Sequence, residues 1–350
     1  MGNTAILGNT LKEVLEKLAV ALPPGWKLSK AKQPARASLA WVDSVVKVRA
    51  PNGTTGSFLV EIKSRLDPKD VDSLRRRASG NPPFLVAAPY IGARAQERLK
   101  SSGFGYADLT GNIRLTLSQP GLFIETNGAT VNPAPALRAR TSLKGAKAGR
   151  LIRVLCDFRP PLGLREMARR AGVDAGYASR IVDFLDRESL LNREKRGPIM
   201  SADWPGLVRR WSQDYSPFQR QRVSWYLAPR GIDPLLSGLK SFSMRYAVSG
   251  SWAAAQFAPV SPTKLLLCYA ENVAALAAAT DIRPADAGAN VALVTPFDSV
   301  VFERTSEKKG VTVAALSQVA VDLLNSPGRG PSEGEALIEW MRHNEHVWRS

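Results

Sequence analysis

Residues 149–156 read GRLIRVLC, residues 164–173 read LREMARRAGV and residues 174–185 read DAGYASRIVDFL. The first run is an apolar helix. The second is a short helix stopped by Gly172, and the third opens a new helix after a turn. Leu164, Met167, Ala168 and Ala171 fall on one face of the second run, and Ala178, Ile181, Val182 and Leu185 on one face of the third. Gly172 permits the sharp turn between them. The segment NREKRGPI at 192–199 then reads as a basic hairpin. Three helices followed by such a hairpin form the pattern of a winged helix-turn-helix, whose last helix enters the major groove of duplex DNA.

Charge agrees with pattern. The 350-residue chain carries 48 Lys/Arg and 31 Asp/Glu, a net charge of +17. Residues 136–230 hold 20 basic and 9 acidic side chains, so about a quarter of the chain carries most of the excess. Residues 1–135 stand at +8 and residues 231–350 at −2. Double-stranded DNA is the partner that most simply uses a localised cationic surface; general surface basicity is the alternative. Small Ala175 and Gly176 allow close approach. Tyr177, Ser179 and Arg180 are then expected to reach base edges, while Arg193, Lys195 and Arg196 of the hairpin and Arg150 of the first helix hold the backbone. Binding of this kind needs no cofactor.

Other classes are disfavoured. Cys156 and Cys268 lie far apart in apolar runs, and the two histidines, His343 and His346, sit together near the C-terminus. A disulfide framework, a His–Cys zinc site and a Ser-His-Asp triad are therefore not expected. No leader-like segment and no apolar run of about 18 residues is present, which points to a cytoplasmic protein without a membrane partner.

Proline-rich joints at 131–135, Ser216-Pro217 and Pro229-Arg230-Gly231 suggest three domains, 1–135, 136–215 and 216–350. In the first, a helix is expected from Asn9, with Thr10 and Glu13 as a capping box. Strand-like runs at 41–48 and 57–63 flank the turn Pro51-Asn52-Gly53. A helix at 67–77, a strand at 84–88, a helix at 93–101 and strands at 106–109 and 113–117 complete a mixed sheet with helices on its faces. On neighbouring antiparallel strands Asp43 approaches Glu61, and Glu61 shares a face with Lys63 two residues on. Two carboxylates can hold Mg²⁺, and an ammonium can orient an attacking water. The set resembles the Asp…Glu-x-Lys core of restriction-endonuclease-like, PD-(D/E)xK nucleases, in which Glu13 or Glu16 would add a helix carboxylate. The plainer reading is a half-exposed strand, with Val60 and Ile62 inward and Glu61 and Lys63 in water.

In the last domain a strand at 245–251 ends in Gly250-Ser251 and a helix starts at Trp252. A strand at 264–269, a helix at 271–279, a strand at 291–294 and helices at 313–324 and 332–341, the last capped by Ser332, follow. The Gly-Ser turn resembles the opening of nucleotidyltransferase folds, where it cradles a triphosphate. The next strand carries Lys264 and Cys268 in place of paired carboxylates, so a degenerate nucleotidyltransferase-like domain is expected.

Four phrases, APYI (88–91) with GFGYADLTGN (103–112), the winged helix, SGSWAA (249–254) and LSQVAVDLLNSPGRG (316–330), together resemble AbiEi-type antitoxins of abortive-infection, type IV toxin–antitoxin systems. The resemblance implies a DNA-binding transcriptional regulator, repressing its own operon, with a cognate toxin or neighbouring-gene protein as partner. The reading is thus an α/β (α+β, multi-domain) protein whose leading function is duplex DNA binding without catalysis. The alternative is a Mg²⁺-dependent nuclease using Asp43, Glu61 and Lys63.

Overall fold

The computed structural model describes residues 2–30, 42–78, 83–134, 142–194, 197–218 and 222–350. Trp41, Arg138, Arg140, Lys195 and Arg196 lie outside the described residues. The chain is mixed α/β and divides into two compact units: residues 1–140 with 187–189, and residues 141–186 with 190–350.

The first unit is built on seven strands in sequential order: β1 (Lys27–Lys30), β2 (Ser44–Arg49), β3 (Thr55–Ile62), β4 (Phe84–Ala88), β5 (Gly105–Asp108), β6 (Ile113–Leu117) and β7 (Leu122–Thr126). Pairing is antiparallel except β3–β4 and β4–β5. Those two parallel steps need crossovers, supplied by α2 (Asp70–Ala78) and α3 (Ala93–Ser101). Period-two alternation splits the sheet into two cores. Val46, Val48, Phe58, Val60 and Ile62 pack with Leu11, Val14 and Leu18 of α1 (Gly2–Ala21), while Leu59, Val86 and Ala88 pack with Val71 and Leu74 of α2 and Ala95 and Leu99 of α3. Thr10 lies in mid-helix, so the expected capping box of Thr10 and Glu13 is corrected: the helix already runs from Gly2, and Glu13 accepts instead from the Asn9 amide.

The second unit starts with α4 (Ala146–Asp157), α5 (Leu164–Arg170), α6 (Ala175–Arg187), β8 (Leu191–Arg193), β9 (Ile199–Ala202) and α7 (Trp204–Ser212). It continues with β10 (Arg222–Leu227), α8 (Ile232–Leu239), β11 (Tyr246–Ser249), α9 (Gly250–Ala255), β12 (Leu266–Ala270), α10 (Val273–Ala279), β13 (Arg283–Pro284) and β14 (Val291–Thr295). A 3₁₀ turn, Ser299–Phe302, precedes β15 (Ser306–Lys308), β16 (Val311–Val313), α11 (Leu316–Leu324), α12 (Gly330–His343) and α13 (Glu345–Trp348). The large sheet runs β13-β10-β14-β12-β11-β16-β15. The expected segments 136–215 and 216–350 share one hydrophobic core, which joins Leu151, Ile152 and Leu155 of α4 to Leu207 and Trp211 of α7 and Val319, Ala320 and Leu323 of α11. The helix expected at 313–324 is a strand, β16, followed by α11. The last long helix begins at Gly330 with Pro331 in its first turn, so Ser332 is inside it rather than its cap.

One polar hub sits within that core. Asp322 of α11 is fully buried and its Oδ1 accepts from Tyr269 OH at 2.9 Å, Tyr215 OH at 3.0 Å and Gln318 Nε2 at 2.9 Å, while Oδ2 accepts from Ser249 Oγ at 2.6 Å. No cation is among these four partners. Burial raises the Asp322 carboxyl to about 6, with the four donors pulling it back.

Candidate nucleic-acid interface

The tri-helical segment assembles as its apolar stripes dictate. Met167, Ala168 and Ala171 of the α5 region, and Ala178, Ile181, Val182 and Leu185 of α6, are buried as expected, and Leu164 is partly so. Gly172 has φ +58°, a left-handed conformation that a side chain would strain. Asp174 then starts α6: its Oδ1 accepts from Tyr177 N at 2.7 Å and its carbonyl from Ala178 N at 3.0 Å. After α6, β8 and β9 pair antiparallel, and Leu162, between α4 and α5, bridges Ile199 through two hydrogen bonds of 3.0 and 2.9 Å. The hairpin is thereby a small sheet with a third short member from the α4–α5 link.

The cations divide sharply. Arg180 projects into solvent beside the Tyr177 ring, 5.8 Å from its centroid, with Ala175 and Gly176 exposed on the same first turns. Partial burial pushes the Tyr177 phenol up and Arg180 pulls it down, leaving a neutral hydroxyl donor near pH 7. Ser179 is half-buried. Arg193 is held by Asp183, with Asp186 at 3.9 Å, so it ties the hairpin to α6. Arg150 is bound to Asp298 through three contacts of 2.6–3.1 Å. Both arginines were expected to be free for a phosphate backbone, and both are engaged by carboxylates instead. Arg165 and Arg169 were overlooked: they are exposed on α5, opposite its buried stripe, and their i, i+4 spacing was the available signal.

In the first unit, Glu61 and Lys63 of the expected trio meet, and Asp43 lies at the start of the neighbouring strand. Asp43 N donates to Val60 O (3.1 Å) and Asp43 Oδ2 accepts from Ile62 N (2.7 Å), which sets Asp43 beside Glu61 across the β2–β3 pair. Glu61 Oε1 lies 2.6 Å from Lys63 Nζ and 3.7 Å from Arg77 Nη2 of α2. Glu61 is only 4% exposed, so the solvated-face reading is corrected: α2 covers it. Its Oε2 is buried and has no hydrogen-bond partner among the described residues. α1 packs on the opposite sheet face, which separates Glu13 and Glu16 from this carboxylate.

Two further motifs acquire local explanations. Asp108 is fully buried and organises the turn after β5: Oδ1 accepts from Thr110 N (2.8 Å), Thr110 Oγ1 (2.7 Å) and Asn112 N (3.1 Å), and Oδ2 from Ile91 N (3.0 Å) and Asn112 Nδ2 (2.9 Å). The DLTGN phrase is therefore sufficiently explained by backbone accounting. At the Gly250-Ser251 turn, Ser251 Oγ donates to Glu333 Oε2 at 2.5 Å, and Ser261 Oγ to Glu333 Oε1 at 2.5 Å. A buried carboxylate thus occupies the hydroxyl that a triphosphate would need.

Among the described residues no cluster of three His, Cys, Asp or Glu side chains is placed to hold a metal ion, and no helix is long and apolar enough to cross a membrane. Comparison of the chain with models of known protein families, with curated proteins and with solved structures found no match in any of the three.

Proposed function

We propose that the chain is a sequence-directed duplex-DNA-binding regulator of the AbiEi-like antitoxin group, working in the cytoplasm, in which α4–α6 and the β8–β9 hairpin act as a winged helix. The observation that carries this reading is the Leu162–Ile199 bridge, which closes the hairpin beside three helices while the first turns of α6 stay open to solvent. Arg180 is the base-reading candidate because it is exposed and has no carboxylate partner among the described residues. Tyr177 and Ser179 flank it. Arg165 of α5 supplies a backbone contact, joined by Lys195 and Arg196, which lie outside the described residues. Arg180→Ala is expected to lower affinity for the preferred site by about 10–100-fold, corresponding to ~1–3 kcal/mol, and to relax the base preference. Genome-wide mapping of bound DNA gives the site, and titration of wild type and variant on it gives the ratio. Unchanged preference removes Arg180 from the reading surface; no retention of any duplex in dilute buffer removes the proposal. The AbiEi likeness also suggests a cognate toxin or neighbouring-gene product as protein partner, which co-purification would reveal.

A second reading is favoured by one observation, the unpartnered buried Oε2 of Glu61. In it the first unit is a restriction-endonuclease-like nuclease, supported by the sequential strand order with its parallel β3–α2–β4 step. A divalent ion fits in part. Glu61 Oε2 and the remaining Asp43 oxygen would hold it, and the ion would polarise the attacked phosphate. Lys63 and Arg77 already supply positive charge to Glu61 Oε1, which weakens the fit. If the reading holds, supercoiled plasmid is nicked with Mg²⁺ or Mn²⁺ and Glu61→Ala lowers the rate at least 100-fold. Absent cleavage, or cleavage that survives Glu61→Ala, would rule it out.

A further inference from the structure

Away from the outward face of α6, five arginines line one cleft. Arg150, Arg153, Arg169, Arg170 and Arg304 wall a cavity of about 340 Å³ bounded by α4, the end of α5 and the 299–304 segment. Their charges are unequally compensated. Arg150 is neutralised by Asp298, and Arg153 by Asp157. Arg170 pairs with Glu166, but both are 38% exposed, so that pair neutralises little. Arg169 has no carboxylate partner among the described residues, and Arg304 gives one Nη2 hydrogen bond to the Trp348 carbonyl at 3.2 Å. Glu303 is the acidic side chain on the wall besides Asp157.

Two details show that these cations are held in place. The guanidinium carbons of Arg170 and Arg304 lie 4.3 and 4.5 Å from the centroid of one ring, Phe158, which brings two like charges to a single side chain. Arg304 also has φ +55°, a left-handed backbone that is unfavourable for a non-glycine residue. A carboxylate is satisfied by one arginine fork. Three guanidiniums converging on one hollow suit the greater number of oxygens on a phosphoryl group. A second hollow, of about 400 Å³, shares Asp157 and Arg304 with the first and is faced by Phe257, Leu316, Val347 and Trp348. It offers apolar and aromatic room beside the cationic cleft.

We propose that this double cleft binds a small nucleoside polyphosphate, its phosphates taken by Arg169, Arg170 and Arg304 and its base lodged against Trp348. The phosphoryl chemistry is shared with a DNA backbone, so the test separates the two sources. The full chain is titrated calorimetrically, without DNA, with ATP, pyrophosphate, adenosine and, at matched ionic strength, citrate. Saturable one-to-one binding of ATP is expected, competed by pyrophosphate and at least tenfold tighter than citrate. Arg169→Glu removes an exposed charge with little demand on folding. Arg304→Gly removes a guanidinium at a backbone angle glycine adopts freely. Each is expected to weaken ATP at least tenfold, whereas Arg283→Ala, on the exposed β13 edge, leaves it unchanged. ATP binding that fails to saturate, that citrate matches, or that both cleft variants retain overturns the proposal. So does a wild type that ignores ATP yet loses duplex affinity in both variants, because the cleft then serves DNA backbone. Duplex binding is measured separately, so failure of the nucleotide site and failure of the DNA-binding reading are distinguishable.

Discussion

Acidification from pH 7 to pH 4 is expected to stabilise the second unit, relative to its Asp322→Asn variant, by about 2 kcal/mol. The sign follows from linkage. The Asp322 carboxyl is raised from an ordinary value of 3.8 to about 6, because burial disfavours its charged form more than its four donors favour it. The folded chain therefore binds this proton more tightly than the unfolded chain. The stabilisation is fully present below the unfolded value and is lost as pH rises through about 6. The full effect is about 3 kcal/mol, of which about 2 kcal/mol falls between pH 7 and pH 4. Tyr269 is itself pushed well above its ordinary value by burial, so it remains a donor across the window. In the variant, an amide oxygen still accepts from Tyr269, Tyr215 and Gln318, and the Ser249 hydroxyl can turn to accept from the new NH₂. The other carboxylates titrate alike in both proteins, so the measurement is the difference between two urea-unfolding series over pH 4–7. A flat difference would show that Asp322 is neutral, or equally ionised, in both states.

The hub also marks the limit of what the sequence discloses. Periodicity located β4, α3 and β6 at the bounds they have, because each is a short run with one or two clearly buried faces and a turn signal at either end. Period-two logic also put Glu61 and Lys63 together. It did not reveal that α2 covers them, since burial of a polar strand position depends on what packs over it. In sequence β10 reads as a joint, because Pro217 and Pro229 bracket it and its strand partners, β13 and β14, lie more than 50 residues downstream. The 313–324 run was read as one helix because Ala314 and Ala315 fit a helical face as well as a link. Charge was the least legible property of all. Composition located the basic segment, but Arg150 finds its carboxylate 148 residues away, and nothing local separates it from Arg169, which finds none among the described residues.

The largest loss of stability is expected at Arg153. This arginine of α4 is 2% exposed and uses its whole fork: Nε to Asp157 Oδ2 at 2.8 Å, Nη1 to the Val300 carbonyl at 3.1 Å and Nη2 to the Glu303 carbonyl at 3.0 Å. Asp157 is equally buried and is otherwise held by Ser317 Oγ at 2.5 Å. Arg153→Met fills the volume but leaves a buried carboxylate with one hydroxyl donor, takes the guanidinium donor from the Glu303 carbonyl and leaves the Val300 carbonyl only the Glu303 N–H (3.0 Å), so it should cost about 3–5 kcal/mol. Arg153→Lys keeps the charge, yet a point ammonium cannot span three acceptors, and an intermediate cost is expected. The double variant Arg153→Met with Asp157→Leu removes both charges and should recover most of the loss, because the uncompensated ion rather than the missing contact sets the penalty. Chemical denaturation of the four proteins decides it. A single variant within 1 kcal/mol of wild type, or a double variant no more stable than Arg153→Met, would contradict this account. The consequence extends beyond stability. Arg153 fastens the 300–303 backbone to α4, and that backbone carries Arg304 into the cleft, so Arg153→Lys should also loosen the wall on which the proposed nucleotide site depends.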